Sequence, residues 1–234
     1  MIAVKDNRFL LLRWLLLSGL AFFAAGAYAH GIARSDQAFV QGNSGMQILP
    51  YIYLGAKHMV TGYDHLLFLA GVIFFLYRLR EVAVYVTLFA IGHSTTLLLG
   101  VLGGIHANPY LVDAIIGLSV VYKAFDNIDG FQQVFGFRPN THAAVLFFGF
   151  FHGFGLSTKL QQFAISVDGL VVNMLAFNVG VEIGQLLALS LILIFFNLWR
   201  VSGNFLRHAY KFNVLLMMAG FVLMGYQITG YIVL

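Results

Sequence analysis

Apolar segments long enough to cross a membrane recur along this chain of 234 residues, and they restrict its fold more than any other feature does. A helix needs about 20 predominantly apolar residues to span a bilayer. Six such segments follow one another, at approximately 51–77, 82–103, 109–125, 142–160, 169–199 and 212–233. Only 9% of the residues are charged, against about a quarter in a soluble domain. The sequence therefore predicts an all-α polytopic membrane protein with six transmembrane helices.

The first 29 residues have the pattern of a cleavable signal peptide. A basic stretch, a short apolar run and a small-residue tripeptide follow one another, and they comprise Lys5, Arg8 and Arg13, then residues 14–25, then residues 27–29. We predict a signal peptide over residues 1–29, a short exported segment over 30–50 and a six-helix transmembrane domain over 51–234. The alternative is an uncleaved first transmembrane helix.

Cleavage after Ala29 would make His30 the first residue of the mature chain. Its free amine and imidazole could then chelate a divalent metal ion on the exported side. An ordinary new N-terminus is the other interpretation.

Basic residues fall on alternate connections between the apolar segments, and these connections include Arg78, Arg80, Lys123, Arg138, Arg200, Arg207 and Lys211. Lys and Arg concentrate in cytoplasmic loops of membrane proteins. The connection at 104–108 carries no charged residue. We therefore predict a bacterial cytoplasmic (inner) membrane protein with the mature N-terminus and the C-terminus on the periplasmic side.

Polar side chains at bilayer depth are the strongest functional signal, because each costs a few kcal/mol there and usually faces the protein interior. The first apolar segment carries His58, Asp64 and His65. A regular helix would place the two histidines on one face, but about 10 Å apart along the axis. They can share one metal ion only if the chain leaves the helix near Gly62; otherwise they serve successive sites. Asp64 would contact a neighbouring helix or orient a histidine.

Three further segments carry polar groups at this depth, and these groups are His93 with Ser94, His152, and the set Asn178, Glu182 and Gln185. The last three have spacings of four and three residues, which place them on one helix face. Hydroxyl groups such as that of Ser94 commonly bond between helices or back to their own helix. A structural role also remains open for any one histidine taken alone.

Other ionisable residues have structural interpretations. Asp113 lies in the first turns of its helix, where negative charge is favourable, and we expect Asp126 and Asp129 to be solvated. The remaining histidines fall in loops or at segment ends, where an interfacial position is expected, and they are His106, His142 and His208.

The chain contains no cysteine, so nitrogen and oxygen atoms must hold any metal ion. Such ligands suit divalent nickel, cobalt, zinc or copper. The same groups could instead relay protons. The net charge of +4 does not indicate a nucleic-acid partner, because no basic face accompanies it.

Four segments resemble the signature segments of the HupE/UreJ family of membrane proteins, particularly its second branch, and they read HMVTGYDHLLFL, FAIGHSTTLLL, FGFFHGFG and FNVGVEIGQL. The resemblance extends from about His58 to Gln185. It implies a secondary permease for nickel, with cobalt as another substrate, that supplies hydrogenase or urease maturation machinery. It also implies a set of metal ligands, namely His58, Asp64, His65, His93, His152 and Glu182.

One position departs from the best-studied branch of the family, which has proline where this chain has Met59. The departure leaves the identity of the metal less determined than the fold. A single thioether is a weak indication of a softer ion.

Two other classes of function compete with a permease. A metal sensor or a membrane subunit of a maturation complex would use the same ligands without transport. A membrane metalloenzyme is disfavoured, because the dense histidine boxes of di-iron desaturases are absent from the sequence. No GxxxxGK[ST] loop occurs in the sequence, so energy for transport would come from an ion gradient or from another protein.

Overall fold

The computed structural model describes residues 40–42, 44–162 and 167–233. The predicted signal peptide and His30 lie outside the described residues. From residue 48 onward the chain forms a succession of helices, which we label α1 (Ile48–Thr61), α2 (Tyr63–Ile73), α3 (Leu79–Gly103), α4 (Pro109–Asn127), α5 (Gly130–Phe135), α6 (Thr141–Leu160), α7 (Leu170–Val201) and α8 (Phe205–Val233). The described part of the chain contains no strand, so the prediction of an all-α fold is confirmed there.

Four helices in the described ranges, α3, α6, α7 and α8, are long and apolar enough to cross a membrane. The first predicted segment is divided between α1 and α2, which have 14 and 11 residues. Helix α4 has 19 residues, among them Asp113, Lys123 and Asp126. The seventh helix has 32 residues, or about 48 Å at the rise of an α-helix, which exceeds the hydrocarbon thickness of a bilayer.

Short connections define two ends of the helix bundle. The end that carries Arg78, Arg138 and Arg200, here called the arginine end, contains the connections at 74–78, 128–140 and 202–204. There the guanidinium of Arg200 donates a hydrogen bond to the carbonyl of Phe74. The opposite end contains the connection at 104–108, the start of α1 and the end of α8.

Helices pack in close pairs where glycines remove the side chain between two backbones. Helix α1 lies so close to α7 that a Cβ atom at Gly55 would collide with the backbone of Phe177. Helix α3 lies so close to α6 that a Cβ atom at Gly153 would collide with the carbonyl of His93. Helices α4 and α8 meet in the same way at Gly117. These glycines set the spacing of the three helix pairs.

Two ion pairs on α4 differ from the sequence-based expectation. The carboxylate of Asp113 pairs with Lys159 Nζ at 2.9 Å, with exposed side-chain fractions of 6% and 19%. At the arginine end Lys123 Nζ lies 2.5 Å from an oxygen of Asp126, and both side chains are largely buried. Asp113 thus has a specific partner as well as its place near a helix N-terminus, and Asp126 is not simply solvated. Burial of a charge in a membrane protein favours such pairing, because an isolated charge is costly there.

Candidate metal centre

The first apolar segment leaves the helical path at Gly62. Its backbone angles are φ −75° and ψ 93°, so α1 ends at Thr61 and α2 begins at Tyr63. The break brings the imidazole rings of His58 and His65 to a centroid separation of 5.1 Å. Of the two alternatives given by the sequence, a shared site and successive sites, the chain has the geometry of the first. A side chain at residue 62 would obstruct it, since a Cβ atom there would lie 2.8 Å from His65 Nδ1.

Three histidines from α1, α2 and α3 meet at this break. His58, His65 and His93 each direct a ring nitrogen to a common region, where the three atoms lie within 4.8 Å of one another. His65 and His93 are buried, with exposed fractions of 4% and 0%, whereas His58 is half-buried. We call these residues the three-histidine group. It is the one group of this kind found among the described residues.

The spacing of the group suits a single transition-metal ion after a small contraction. Two nitrogens bound to one ion at about 2.1 Å lie about 3.4 Å apart in tetrahedral geometry. The three nitrogens lie no more than 4.8 Å apart. This separation exceeds the nitrogen–nitrogen distance around a bound ion by about 1.4 Å at most. Small side-chain rotations can supply such a change.

Hydrogen bonds direct two imidazoles toward the region. His65 Nδ1 lies 2.9 Å from a carboxylate oxygen of Asp64, so its N–H donates to the carboxylate and Nε2 keeps its lone pair. His152 Nδ1 donates to the carbonyl of Phe148 at 2.8 Å, and its ring centroid lies 4.7 Å from that of His65. Asp64 accordingly orients a histidine, which is one of the roles considered from the sequence. His152 lies beside the three-histidine group as a further nitrogen donor.

Three buried ring nitrogen atoms in this region form no hydrogen bond within the described part of the chain. Among the described residues, neither ring nitrogen of His93 has a hydrogen-bond partner, and His65 Nε2 has none either. A buried polar atom without a partner is costly in an apolar environment. A metal ion would satisfy these lone pairs, so the arrangement has the chemistry of a cation site.

The polar stripe on α7 divides between the interior and the surface. Asn178 and Gln185 are buried, with exposed fractions of 9% and 0%, and their side-chain amides have no hydrogen-bond partner in the described part of the chain. Glu182 is exposed and lies outside the three-histidine group. Successive positions on a helix are rotated by about 100°, so the three side chains spread over about 60° of the helix circumference. Asn178 and Gln185 lie on the buried part of this arc, and Glu182 lies on the exposed part.

The hydroxyl groups beside His93 follow the structural interpretation. Thr96 Oγ1 donates to the carbonyl of Phe150 on α6 at 2.6 Å, while Thr95 Oγ1 donates to its own helix at Ile91. Ser94 is half-buried. The Thr96 bond strengthens the contact between α3, which carries His93, and α6, which carries His152.

Aromatic residues surround the histidines, and the sequence patterns did not predict them. The rings of Phe68 and Phe89 lie 5.6 and 5.0 Å from the His152 ring, by centroid distance. The chain contains 24 phenylalanines, so composition offers no signal for particular ones. Only their spacing of three or four residues from a histidine could have indicated these positions.

Residues 34–234 match the family model described as HupE / UreJ protein. The match covers most of the chain, and the protein therefore belongs to the HupE/UreJ family. No curated protein and no solved structure matches the chain.

Proposed function

We propose that this protein is a secondary permease for a divalent transition-metal ion, with nickel as the first candidate and cobalt as the second. The observation that carries the proposal is the three-histidine group, in which three imidazole nitrogens lie within 4.8 Å inside a bundle of apolar helices. Neutral imidazole is a preferred ligand of these ions. Membership of the HupE/UreJ family supports the same function.

The permeant ion is the substrate of this site, and the surrounding residues have distinct roles toward it. His58, His65 and His93 supply nitrogen ligands, and His152 offers a fourth from α6. The carboxylate of Asp64 balances part of the positive charge through its hydrogen bond to His65. Zinc and copper accept the same ligands, so they are the competing substrates in any assay.

The proposal includes a location and an orientation. The helices cross a bacterial cytoplasmic membrane six times, with α1 and α2 together forming one crossing, and the arginine end faces the cytoplasm. The site then lies near the midplane, where secondary transporters commonly bind their substrates between helices that move around them. Hydrogenase or urease maturation machinery would be the recipient of the imported ion.

Nickel uptake into proteoliposomes tests the function directly. We expect the purified protein to carry labelled nickel into vesicles, and we expect His65→Ala and His93→Ala to abolish uptake. His208→Ala is the matched control, because His208 is exposed on α8 and bonds to the carbonyl of Asn204. Nickel binding without flux by the unaltered protein would favour the sensor instead. Equal uptake by His65→Ala and His208→Ala would refute the proposed site.

A further inference from the structure

An apolar groove opens on the side of the bundle between α4 and α6. It has a volume of about 730 Å³, and its walls include Leu118, Tyr122, Phe147 and Phe151. Leu118 and Phe147 have exposed fractions of 42% and 55%, so the groove opens to the surroundings of the bundle. Its lining reaches the arginine end at Asn140, the N-cap residue of α6.

The groove has the length of one leaflet of a bilayer. Its lining on α6 extends from Asn140 to Phe151, which is about 16 Å at the rise of an α-helix. The hydrocarbon core is about 30 Å thick, and α6 is long and apolar enough to cross it. No water is available at this depth, so only an apolar occupant fills such a groove. An acyl chain that enters from the arginine end has the required length and polarity.

The mouth of the groove at the arginine end carries one cation and one anion side by side. Arg138 precedes Asn140 by two residues, which span at most about 7 Å. Its guanidinium lies 3.2 Å from a carboxylate oxygen of Asp129, and the exposed side-chain fractions are 73% and 47% for the two residues. Asp129 belongs to this mouth as well, because it is the N-cap residue of α5, whose Phe131 ring lies 4.9 Å from that of Tyr122.

This ion pair can exchange its partners for those of a ligand. An exposed pair contributes little to stability, so breaking it costs little. By contrast, the neighbouring pair of Lys123 and Asp126 is largely buried and remains internal. A guanidinium binds phosphate through two parallel hydrogen bonds, and a carboxylate accepts strong hydrogen bonds from an ammonium group. Arg138 and Asp129 together therefore match a headgroup that contains both a phosphate and a primary amine.

We propose that the groove between α4 and α6 binds one phospholipid with a zwitterionic, primary-amine headgroup, as in phosphatidylethanolamine. One acyl chain lies in the groove, Arg138 binds the phosphate, and Asp129 accepts hydrogen bonds from the ammonium group. A phosphocholine headgroup has the same charges but no N–H donor, and a phosphoglycerol headgroup has no cation. The lipid site does not depend on the proposed permease function, because none of the histidine ligands of that function lines the groove.

Native mass spectrometry of the purified full chain in detergent tests the site. Phosphatidylethanolamine, phosphatidylcholine and phosphatidylglycerol with identical acyl chains are added separately, and the bound fraction is measured against lipid concentration. We expect phosphatidylethanolamine to bind about tenfold more tightly than either of the other two, which is the effect of about one hydrogen bond between charged groups.

Substitutions at the mouth separate the two headgroup contacts. Asp129→Asn should lower the affinity for phosphatidylethanolamine to that for phosphatidylcholine, and asparagine is compatible with the positive φ of 62° at this position. Arg138→Gln should weaken the binding of all three lipids, because each of them contains a phosphate.

Filling the groove tests the contact with the acyl chain. Ala144→Trp places a large ring among the lining residues and should weaken the binding of all three lipids by about tenfold or more, since the loss of two buried methylene groups already has this effect. Leu187→Trp is the matched control, because Leu187 is 60% exposed on α7. If thermal unfolding shows that Ala144→Trp does not fold, Ala143→Phe in the same groove decides the question.

Equal binding of phosphatidylethanolamine and phosphatidylcholine would overturn the proposed headgroup, and equal effects of Ala144→Trp and Leu187→Trp would overturn the groove. A dimer of the unaltered protein that Ala144→Trp converts to a monomer would show that a second copy of the chain occupies the groove instead. Selective binding of phosphatidylethanolamine together with no nickel flux would refute the permease function and leave the lipid site in place.

Discussion

Replacement of Gly62 by alanine tests whether the helix break creates the metal site. The added Cβ atom would lie 2.8 Å from His65 Nδ1, 3.1 Å from the carbonyl of His58 and 3.3 Å from an oxygen of Asp64. The first separation is shorter than a van der Waals contact, so the His65 ring must move away from its position. The methyl group thus acts on the ring nitrogen that bonds to Asp64 and on the region between the two histidines.

Alanine also favours a continuous helix at this position. It stabilises the helical backbone by about 1 kcal/mol relative to glycine. A continuous helix would return His58 and His65 to a separation of about 10 Å along the axis. Loss of the orientation of one metal-ligating histidine commonly weakens metal binding by about 10- to 100-fold. We expect a decrease in nickel affinity within that range, with little change in thermal stability.

Isothermal titration of nickel into the purified protein in nanodiscs measures this change, and thermal unfolding of the same samples measures stability. Gly225→Ala on α8 is the matched control, because no atom lies within 4 Å of a Cβ placed there. Equal nickel affinities for Gly62→Ala and Gly225→Ala would refute the reasoning. A fall in affinity that accompanies loss of the folded protein would refute it too, because the predicted effect is confined to the site.

Three further substitutions have definite expected outcomes. Asp64→Asn removes the charge that polarises His65, and titration should show nickel binding weaker by about 10-fold or more. Glu182→Gln should leave nickel affinity unchanged in the same titration, because Glu182 is exposed and outside the three-histidine group; a loss of affinity equal to that of Asp64→Asn would show that Glu182 is a ligand. Lys159→Met leaves Asp113 buried without its ammonium partner, and detergent unfolding should show a loss of about 3 kcal/mol, the lower end for a broken buried pair. Adding Asp113→Asn to Lys159→Met should recover much of this stability, and no recovery would contradict the ion-pair account.

The sequence predicted the helices well because their signal is local. Apolar length alone placed the segments that became α3, α6, α7 and α8. The helix break was predicted only as a condition, since a glycine within an apolar segment is compatible with either a bent or a straight helix. The side chains packed around Gly62 decide between a bent and a straight helix, and their contacts form only in the folded chain.

Helix rotation explains why the stripe on α7 was harder to predict. The spacing of Asn178, Glu182 and Gln185 correctly indicates one broad face. It does not determine where the neighbouring helices end along that face. Gly180 packs against the backbone of Ile52, which fixes the rotation of α7 against α1 and leaves Glu182 on the exposed side of the boundary. The phenylalanines around the histidines were missed for a related reason, since Phe68, Phe89 and Phe148 become neighbours only when α2, α3 and α6 assemble.

The histidines lie on different closely packed helix pairs, and this placement affects how a bound ion could be released. His58 lies on α1, which packs closely on α7, whereas His93 and His152 lie on α3 and α6, which pack closely on each other. The ligand nitrogens of His58 and His93 therefore belong to two closely packed helix pairs, which also contact each other through α3 and α7, and His65 lies on α2. A relative movement of the pairs by 1–2 Å, of the order seen for helix shifts in switching proteins, is comparable to the contraction of about 1.4 Å that metal ligation requires. Such a movement can assemble or disperse the site without unfolding a helix, and Gly62 is where the chain can absorb it.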